Sequence, residues 1–444
     1  MGQIAGPCYR LLQSTVIEAP GPMEPGTKQF KARRSWIASL AMTANRQNRM
    51  AKLTNETRAS LRRRSRLVHL GRDVAQSQGF VNIPAFRGST VLFPDVATLK
   101  SLGQRYTYGT HGTPTTEALR SAWTDLAGGA GTMLVPSGLA AVVVCLMTAL
   151  SAGDHLLVTD SAYSPTRSFA NKTLKRMGIE TTYYDPTIGA GIEAIMRPNT
   201  KAVLTESPGS ETFEIQDVPA IAEVAHAYGA CVIMDNTWAT PLFFSPHAQG
   251  VDLAVDAGTK YLSGHSDLLL GLVSANEAWF KRLYRTVDGM AIPPGPEDVY
   301  LALRGLRTME IRLREAERQA LALAKWLAAR PEVARVIHPA LPDHPGHQIW
   351  RRDFTGSSGV FSVVLKPVSD AAVAALLDGL ELFGIGFSWG GYTSLVIPFD
   401  CSAYRTATKW APGGPALRFS VGLEDIEDLK ADLDRGFARL NATA

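Results

Sequence analysis

Between about Thr116 and Asn276 the chain alternates short apolar runs with stretches of helical length, and this alternation limits its fold more tightly than any other feature. The runs HLLVTD (155–160), KAVLTES (201–207), ACVIMDN (230–236), DLAVDAG (252–258) and LGLVSAN (270–276) are short, apolar and bounded by turn formers. Such runs read as parallel strands buried on both faces. Between them lie helical patterns. TTEALRSAWTDLAGG (115–129) carries apolar residues at helical spacing, with Thr before Glu as a start signal and a Gly pair as its stop. LAAVVVCLMTALSAGD (139–154) is apolar nearly all round, as a buried helix is, and VPAIAEVAHAYG (218–229) is amphipathic. Strands alternating with helices predict an α/β fold with an open, mostly parallel sheet covered on both sides.

Past Gly295 the pattern changes. One long amphipathic stretch from Glu297 to Ala329 leads into strands VARVIHP and GVFSVVLK, a helix SDAAVAALLDGL, a strand near LRFSVG and a terminal helix EDIEDLKADLDRGFARL. That order predicts a smaller α+β domain, with a bend at Ile292-Pro293-Pro294-Gly295-Pro296 marking the boundary. The expected organisation is an extension over 1–55, an arm over 56–115, a ligand-binding domain over 116–300 and a C-terminal domain over 301–444.

The first 55 of the 444 residues show no sustained period and no chemistry. Arg33-Arg34-Ser35-Trp36-Ile37 faintly resembles a twin-arginine export signal, though its apolar stretch is short and starts late. A natural start at Met42 or Met50 explains the leader as simply. Charge is uneven: residues 1–41 carry five Lys/Arg against two Glu, and residues 42–72 carry nine against one. The formal +4 therefore belongs to the leader and leaves the rest at −7, which gives no reason to expect nucleic acid as a partner. The cluster Arg62 to Arg66 reads as a solvated face. No run of about 18 apolar residues suggests a membrane span. Cys8, Cys145, Cys231 and Cys401 lie far apart with no CxxC, so neither a disulfide scaffold nor a metal cluster is expected. Cys145 and Cys231 fall in apolar runs, as buried hydrophobes do.

The strand DLAVDAG delivers Thr259-Lys260-Tyr261. A lysine at a strand end is by default a surface group. Set among small and hydroxyl residues after a buried strand, it also suits an amine desolvated enough to react as a free base. The strand ACVIM ends in Asp235, and ligands of open α/β sheets gather at the carboxyl ends of strands, so Asp235 and Lys260 are candidates for one site. A carboxylate and an amine so placed match what pyridoxal 5'-phosphate needs: one group to keep its pyridine nitrogen protonated, another to bond its aldehyde. Asp235 alone reads equally well as a turn or cap residue. Ser137-Gly138-Leu139 opens the apolar helix, where unpaired N–H groups attract a phosphate, and Tyr163 follows the strand HLLVTD, where a ring could stack on the pyridine.

The motifs ESPGS (206–210), IMDNTWATP (233–241), GTKYLSGHSD (258–267), RGLRT (304–308), HPALPDHPGH (338–347), FTGSSGVFS (354–362) and SWGGYTSL (388–395) together resemble the Cys/Met-metabolism branch of pyridoxal-phosphate enzymes, from about residue 56 to the C-terminus. The resemblance implies the aminotransferase-like fold of type I. It also implies that Lys260 bonds the cofactor, that Asp235 faces the pyridine nitrogen and that Tyr163 stacks on the ring. By the same resemblance the N–H groups of Gly138 and Leu139 and the Thr259 hydroxyl hold the phosphate. Arg418 binds the substrate α-carboxylate, a role suited to a permanently charged, bidentate guanidinium. Phe387, Ser388 and Trp389 line the substrate's pocket. Tyr108 is implied to reach a neighbouring subunit's site and to take part in its chemistry, so a homotetramer with shared sites is expected. Three positions depart from the family pattern. Thr110 stands where an arginine usually completes the cross-subunit phosphate clamp, and a hydroxyl supplies no charge. Phe387 replaces the Tyr or Glu found in relatives, and Thr393 replaces a Glu.

The implied activity is β-cleavage of L-cystathionine to homocysteine, pyruvate and ammonia, a cytoplasmic step toward methionine. Other readings stay open: β-cleavage of cystine or of cysteine S-conjugates, a γ-acting synthase or lyase, or a catalytically silent binding homologue.

Overall fold

The computed structural model describes residue 57, residues 60–72 and residues 77–443, so the expectations for the leader, including Arg33-Arg34 and Cys8, lie outside the described residues. Seven strands form the larger sheet: β1 (Gly131–Val135), β2 (His155–Thr159), β3 (Glu180–Tyr184), β4 (Thr200–Glu206), β5 (Cys231–Asp235), β6 (Leu253–Ala257) and β7 (Gly271–Ala275). Their order is β1-β7-β6-β5-β4-β2-β3. Strands β3, β2, β4, β5 and β6 run parallel, whereas β7 is antiparallel to both β6 and β1. The expectation that LGLVSAN is a parallel strand is thus corrected. Parallel neighbours need a crossover, and residues 258–270 form none; they turn back at once, so β7 must return beside β6.

Two apolar layers cover this sheet. Val135, Leu156, Val158, Ile233 and Val255 pack with the buried helix Gly138–Ala149. Leu134, Leu157, Val203, Met234 and Ala254 pack on the other face with Trp123 and Ile221, from the helices Pro114–Ala127 and Val218–Ala227. Cys145 and Cys231 are buried free thiols. The helix Pro114–Ala127 starts earlier than its Thr-Glu signal suggests. Thr113 caps it by accepting from Thr116 N–H at 3.2 Å, and Pro114 occupies the first turn.

A four-stranded antiparallel sheet follows, in the order β10-β11-β9-β8: β8 (Val333–Ile337), β9 (Val360–Leu365), β10 (Leu395–Phe399) and β11 (Ala416–Ser420). It packs against the helices Met309–Ala328, Asp370–Asp378 and Ile426–Thr443. The single helix expected from Glu297 to Ala329 is two, Pro296–Leu306 and Met309–Ala328. At the break, Arg307 donates to the carbonyls of Leu67 and Leu70, both at 2.7 Å, and so holds the segment Arg63–Leu70 against the body. Arg62, Arg63 and Arg64 are exposed, as expected of a solvated face, but the cluster is also tied to the body. Arg66 pairs with Asp125 at 2.6 Å and Arg63 donates to Leu242 O.

Candidate active site

The strands place their carboxyl ends side by side. Glu206 ends β4, Asp235 ends β5, and the two are in register across the parallel pair. Directly past Ala257, at Gly258, the turn bearing Lys260 begins. That turn is fastened on several sides. Thr259 Oγ1 accepts from Leu270 N–H at 3.0 Å, while Arg312 donates to Tyr261 O at 2.8 Å and to Leu262 O at 3.2 Å. Gly305 lets its helix lie directly on the turn, because a Cβ there would come within 2.2 Å of Leu262 O. The lysine is therefore held by a rigid frame.

Lys260 Nζ donates to Ser388 Oγ at 2.6 Å and lies 5.0 Å from the centre of the Trp389 ring. Burial lowers its pKa to about 8; nearby Arg418 pushes the same way, and Asp235 opposes both. That leaves about one-tenth of the amine as free base at pH 7, far more than an ordinary lysine offers, as a proton-moving amine requires. Ser388 has φ +78°, a left-handed conformation rare for a residue with a Cβ. It gives its hydroxyl to Lys260 and its carbonyl to Arg418 Nη2 at 3.0 Å. Arg418 lies on β11 with its Nε buried and lacking a hydrogen-bond partner, which suits it to an incoming carboxylate.

Asp235 Oδ1 accepts from Thr237 N–H at 3.0 Å and from Thr237 Oγ1 at 2.5 Å. Burial raises its pKa, against the pull of these donors and of Lys260. A cation brought to this carboxylate would be strongly bound, because an unpaired buried charge is costly. Glu206 is pushed well above the usual carboxylate range by burial and then by Asp235 beside it; its Oε2 accepts from Tyr163 N–H at 2.7 Å.

Phosphate chemistry has its own corner. Ser137 caps the helix Gly138–Ala149 by accepting from Ala140 N–H at 3.2 Å, which leaves Gly138 and Leu139 to supply the first two amides, those without a carbonyl partner inside a helix. A Cβ on Gly138 would meet Ala257 Cβ at 2.6 Å, so only glycine lets the helix start this close to β6. The donors and acceptors present thus fit pyridoxal phosphate: free amides for its phosphate, an acid for its nitrogen and an amine for its aldehyde.

One cavity of about 360 Å³ joins these groups, a size suited to a cofactor with a small substrate. Ten of the residues singled out from sequence line it: Gly138, Leu139, Tyr163, Asp235, Thr259, Lys260, Phe387, Ser388, Trp389 and Arg418. Phe387 is 89% exposed, at the cavity's solvent side. The structure does not bring Tyr108 or Thr110 to this cavity. They lie on the arm, where Tyr108 pairs with Thr90 as an isolated bridge and packs edge-on against His111 at 6.1 Å. Sequence reasoning missed Glu206 and Glu211, both of which line the cavity. Glu206 was open to the strand-end argument that found Asp235, whereas Glu211 sits in a turn without any such signal.

Residues 64–438 match the family of Cys/Met metabolism PLP-dependent enzymes. The chain is 53% identical to a provisionally named cystathionine β-lyase of Rhizobium johnstonii, over 85% of this chain and 96% of the relative. It is 41% identical to the cystathionine β-lyase MetC of Escherichia coli, over 85% of this chain and 98% of that one. Among solved structures, cystathionine γ-lyase from Lactobacillus plantarum, complexed with L-serine, superposes with a TM-score of 0.79 at 28% identity, covering 86% of this chain and all of that one.

Proposed function

The chain belongs to the Cys/Met metabolism PLP-dependent enzymes, and from that premise we propose that it is a carbon–sulfur β-lyase acting on L-cystathionine. The observation that carries this reading is the convergence of Lys260, Asp235 and Arg418 on one cavity in a chain 41–53% identical to proteins named for that activity. Residues 116–300 carry the cofactor, residues 301–444 bring Ser388, Trp389 and Arg418 over it, and the reaction belongs to the cytoplasm.

Pyridoxal phosphate, when bound, supplies the sink for the electron pair left at Cα. Arg418 receives the substrate α-carboxylate and fixes the amino acid's orientation, aided by Ser388 O, which restrains the guanidinium. Lys260 Nζ, aimed by Ser388 Oγ, removes the proton from Cα and returns a proton to the departing sulfur. Asp235 would hold the proton on the pyridine nitrogen, Tyr163 would face the ring, and Gly138, Leu139 and Thr259 would hold the phosphate. The Cβ–S bond breaks, and with one water the products are homocysteine, pyruvate and ammonia. Phe387 places an apolar ring where γ-acting relatives have a carboxylate, which favours β-cleavage. Product analysis on cofactor-loaded protein given L-cystathionine is the test. Pyruvate with homocysteine is expected; 2-oxobutyrate with cysteine would move the protein to the γ-lyases.

The working unit is a homotetramer. The arm bears Phe80 at 74% and Leu92 at 86% exposure, together with exposed Val81, Val96, Leu99 and Leu102, more apolar surface than a free arm normally shows to water. Packing this arm on a second copy would cover these side chains and carry Tyr108 and Thr110 to the neighbour's phosphate corner. Mass photometry at assay concentration is expected to give four times the 47.9 kDa chain mass. A fully active monomer would contradict the assignment of Tyr108 to a partner's site.

A further inference from the structure

We propose that Glu211 selects the far end of the substrate: its carboxylate receives an ammonium group carried beyond the sulfur, so the cavity favours thioethers ending in an amino acid over those ending in an alkyl chain. The inference rests on the β-cleavage reading above and adds to it a residue that determines specificity.

Five charged side chains line the cavity: Lys260, Arg418, Asp235, Glu206 and Glu211. Four have assigned work or are held by a backbone N–H. Arg418 takes the α-carboxylate, Lys260 moves the proton and Asp235 faces the pyridine nitrogen. Glu206 is committed to Tyr163 N–H. Glu211 is left over. An unassigned anion beside the arginine that must capture a carboxylate would work against that capture, unless the same ligand also brings it a cation. The substrate's reacting amine is not that cation, because it must go to the aldehyde beside Lys260. A second ammonium, at the other end of the molecule, gives the Glu211 carboxylate a cation of its own.

The geometry agrees. Glu211 stands in a tight turn at φ +64°, and its carbonyl accepts from Ser362 Oγ at 2.7 Å. Ser362 is the cross-strand partner of Arg418, so the turn is tied to the strand that carries the arginine. Tyr404 OH donates to Glu211 Oε2 at 3.1 Å. No hydrogen bond to Oε1 is made by the described residues. Tyr404 is itself anchored, since Arg167 donates to its carbonyl and the buried Asp160 accepts from Thr406 and Thr408 N–H at 3.0 and 2.8 Å. A carboxylate aimed from one side and open on the other is ready for an ammonium donor.

The test compares cofactor-loaded wild type with Glu211→Gln, which keeps shape and removes charge. The readout is the ratio of kcat/KM for L-cystathionine to that for S-propyl-L-cysteine, whose far end is uncharged. That ratio is expected to fall by about 10-fold to 100-fold, as for losing one charge-assisted hydrogen bond. Calorimetry adds an equilibrium readout: diaminosuberate, the all-carbon isostere of cystathionine, should lose affinity by a similar factor relative to aminosuberate, which lacks the far amine. Tyr404→Phe, which removes the aiming hydroxyl, should shift both ratios about 2-fold to 3-fold in the same direction. An unchanged ratio, whether both substrates weaken together or neither does, would overturn the proposal. Failure of wild type to cleave either thioether at Cβ would overturn the β-lyase reading instead, while the calorimetric ratio would still decide the role of Glu211.

Discussion

Lys260→Ala is expected to fold, to bind the cofactor without a covalent bond and to lose at least about 10³-fold in kcat, with loss of the near-visible absorbance band of lysine-bonded cofactor. The size of the effect follows from how little else can do the work. Arg418 is the other cation lining the cavity, and a guanidinium does not give up its proton near neutral pH. Burial and Arg418 hold the Lys260 amine at about 8, and Ser388 Oγ fixes it at 2.6 Å. Alanine removes base, covalent anchor and positioning contact together. Steady-state turnover with absorbance spectra checks the prediction. A variant retaining kcat within tenfold of wild type would mean that another group moves the proton.

Asp235→Asn should be nearly as damaging, with a fall of about 10²-fold to 10³-fold in kcat and little change in fold. Breaking a buried charge pair costs about 3–5 kcal/mol, and each 1.4 kcal/mol is a factor of ten in rate. Asparagine fills the same volume and can still accept from Thr237, whose two donors lie at 3.0 and 2.5 Å from Oδ1, so the loss isolates the charge. Nothing nearby can replace it easily. Glu206 lies in register with Asp235, but burial pushes its carboxyl toward the neutral form, and it is already bonded to Tyr163 N–H. Single-turnover rates for wild type and variant measure the effect; agreement within threefold would show that the pyridine nitrogen is not held by this carboxylate.

The sequence makes the larger sheet and the lining of its cavity legible for one reason: the candidate groups at strand ends stand next to runs that can be read. Asp235 and Lys260 each close a buried apolar run, and the ends of β5 and β6 adjoin in the sheet. What sequence spacing hides is contact across the two sheets. Ser388 is 128 residues from Lys260 in the chain, and its hydroxyl meets the amine from a left-handed kink that spacing does not reveal. The direction of β7 was equally hidden, since a buried run looks the same whichever way it points. β3 escaped notice because it is an edge strand with Glu180 and two threonines, and β10 because Pro398 interrupts its pattern. Phe80 and Leu92 gain meaning only once the body proves to leave them uncovered.

Every role assigned above depends on Lys260 being the lysine that carries the cofactor. Borohydride reduction of the loaded protein, followed by proteolysis and mass spectrometry, fixes that bond where it stands. One modified peptide is predicted, containing Lys260 within GTKYLSGHSD and carrying the reduced pyridoxyl-phosphate mass. The adduct on a different lysine, or no adduct in folded protein saturated with cofactor, would contradict the account.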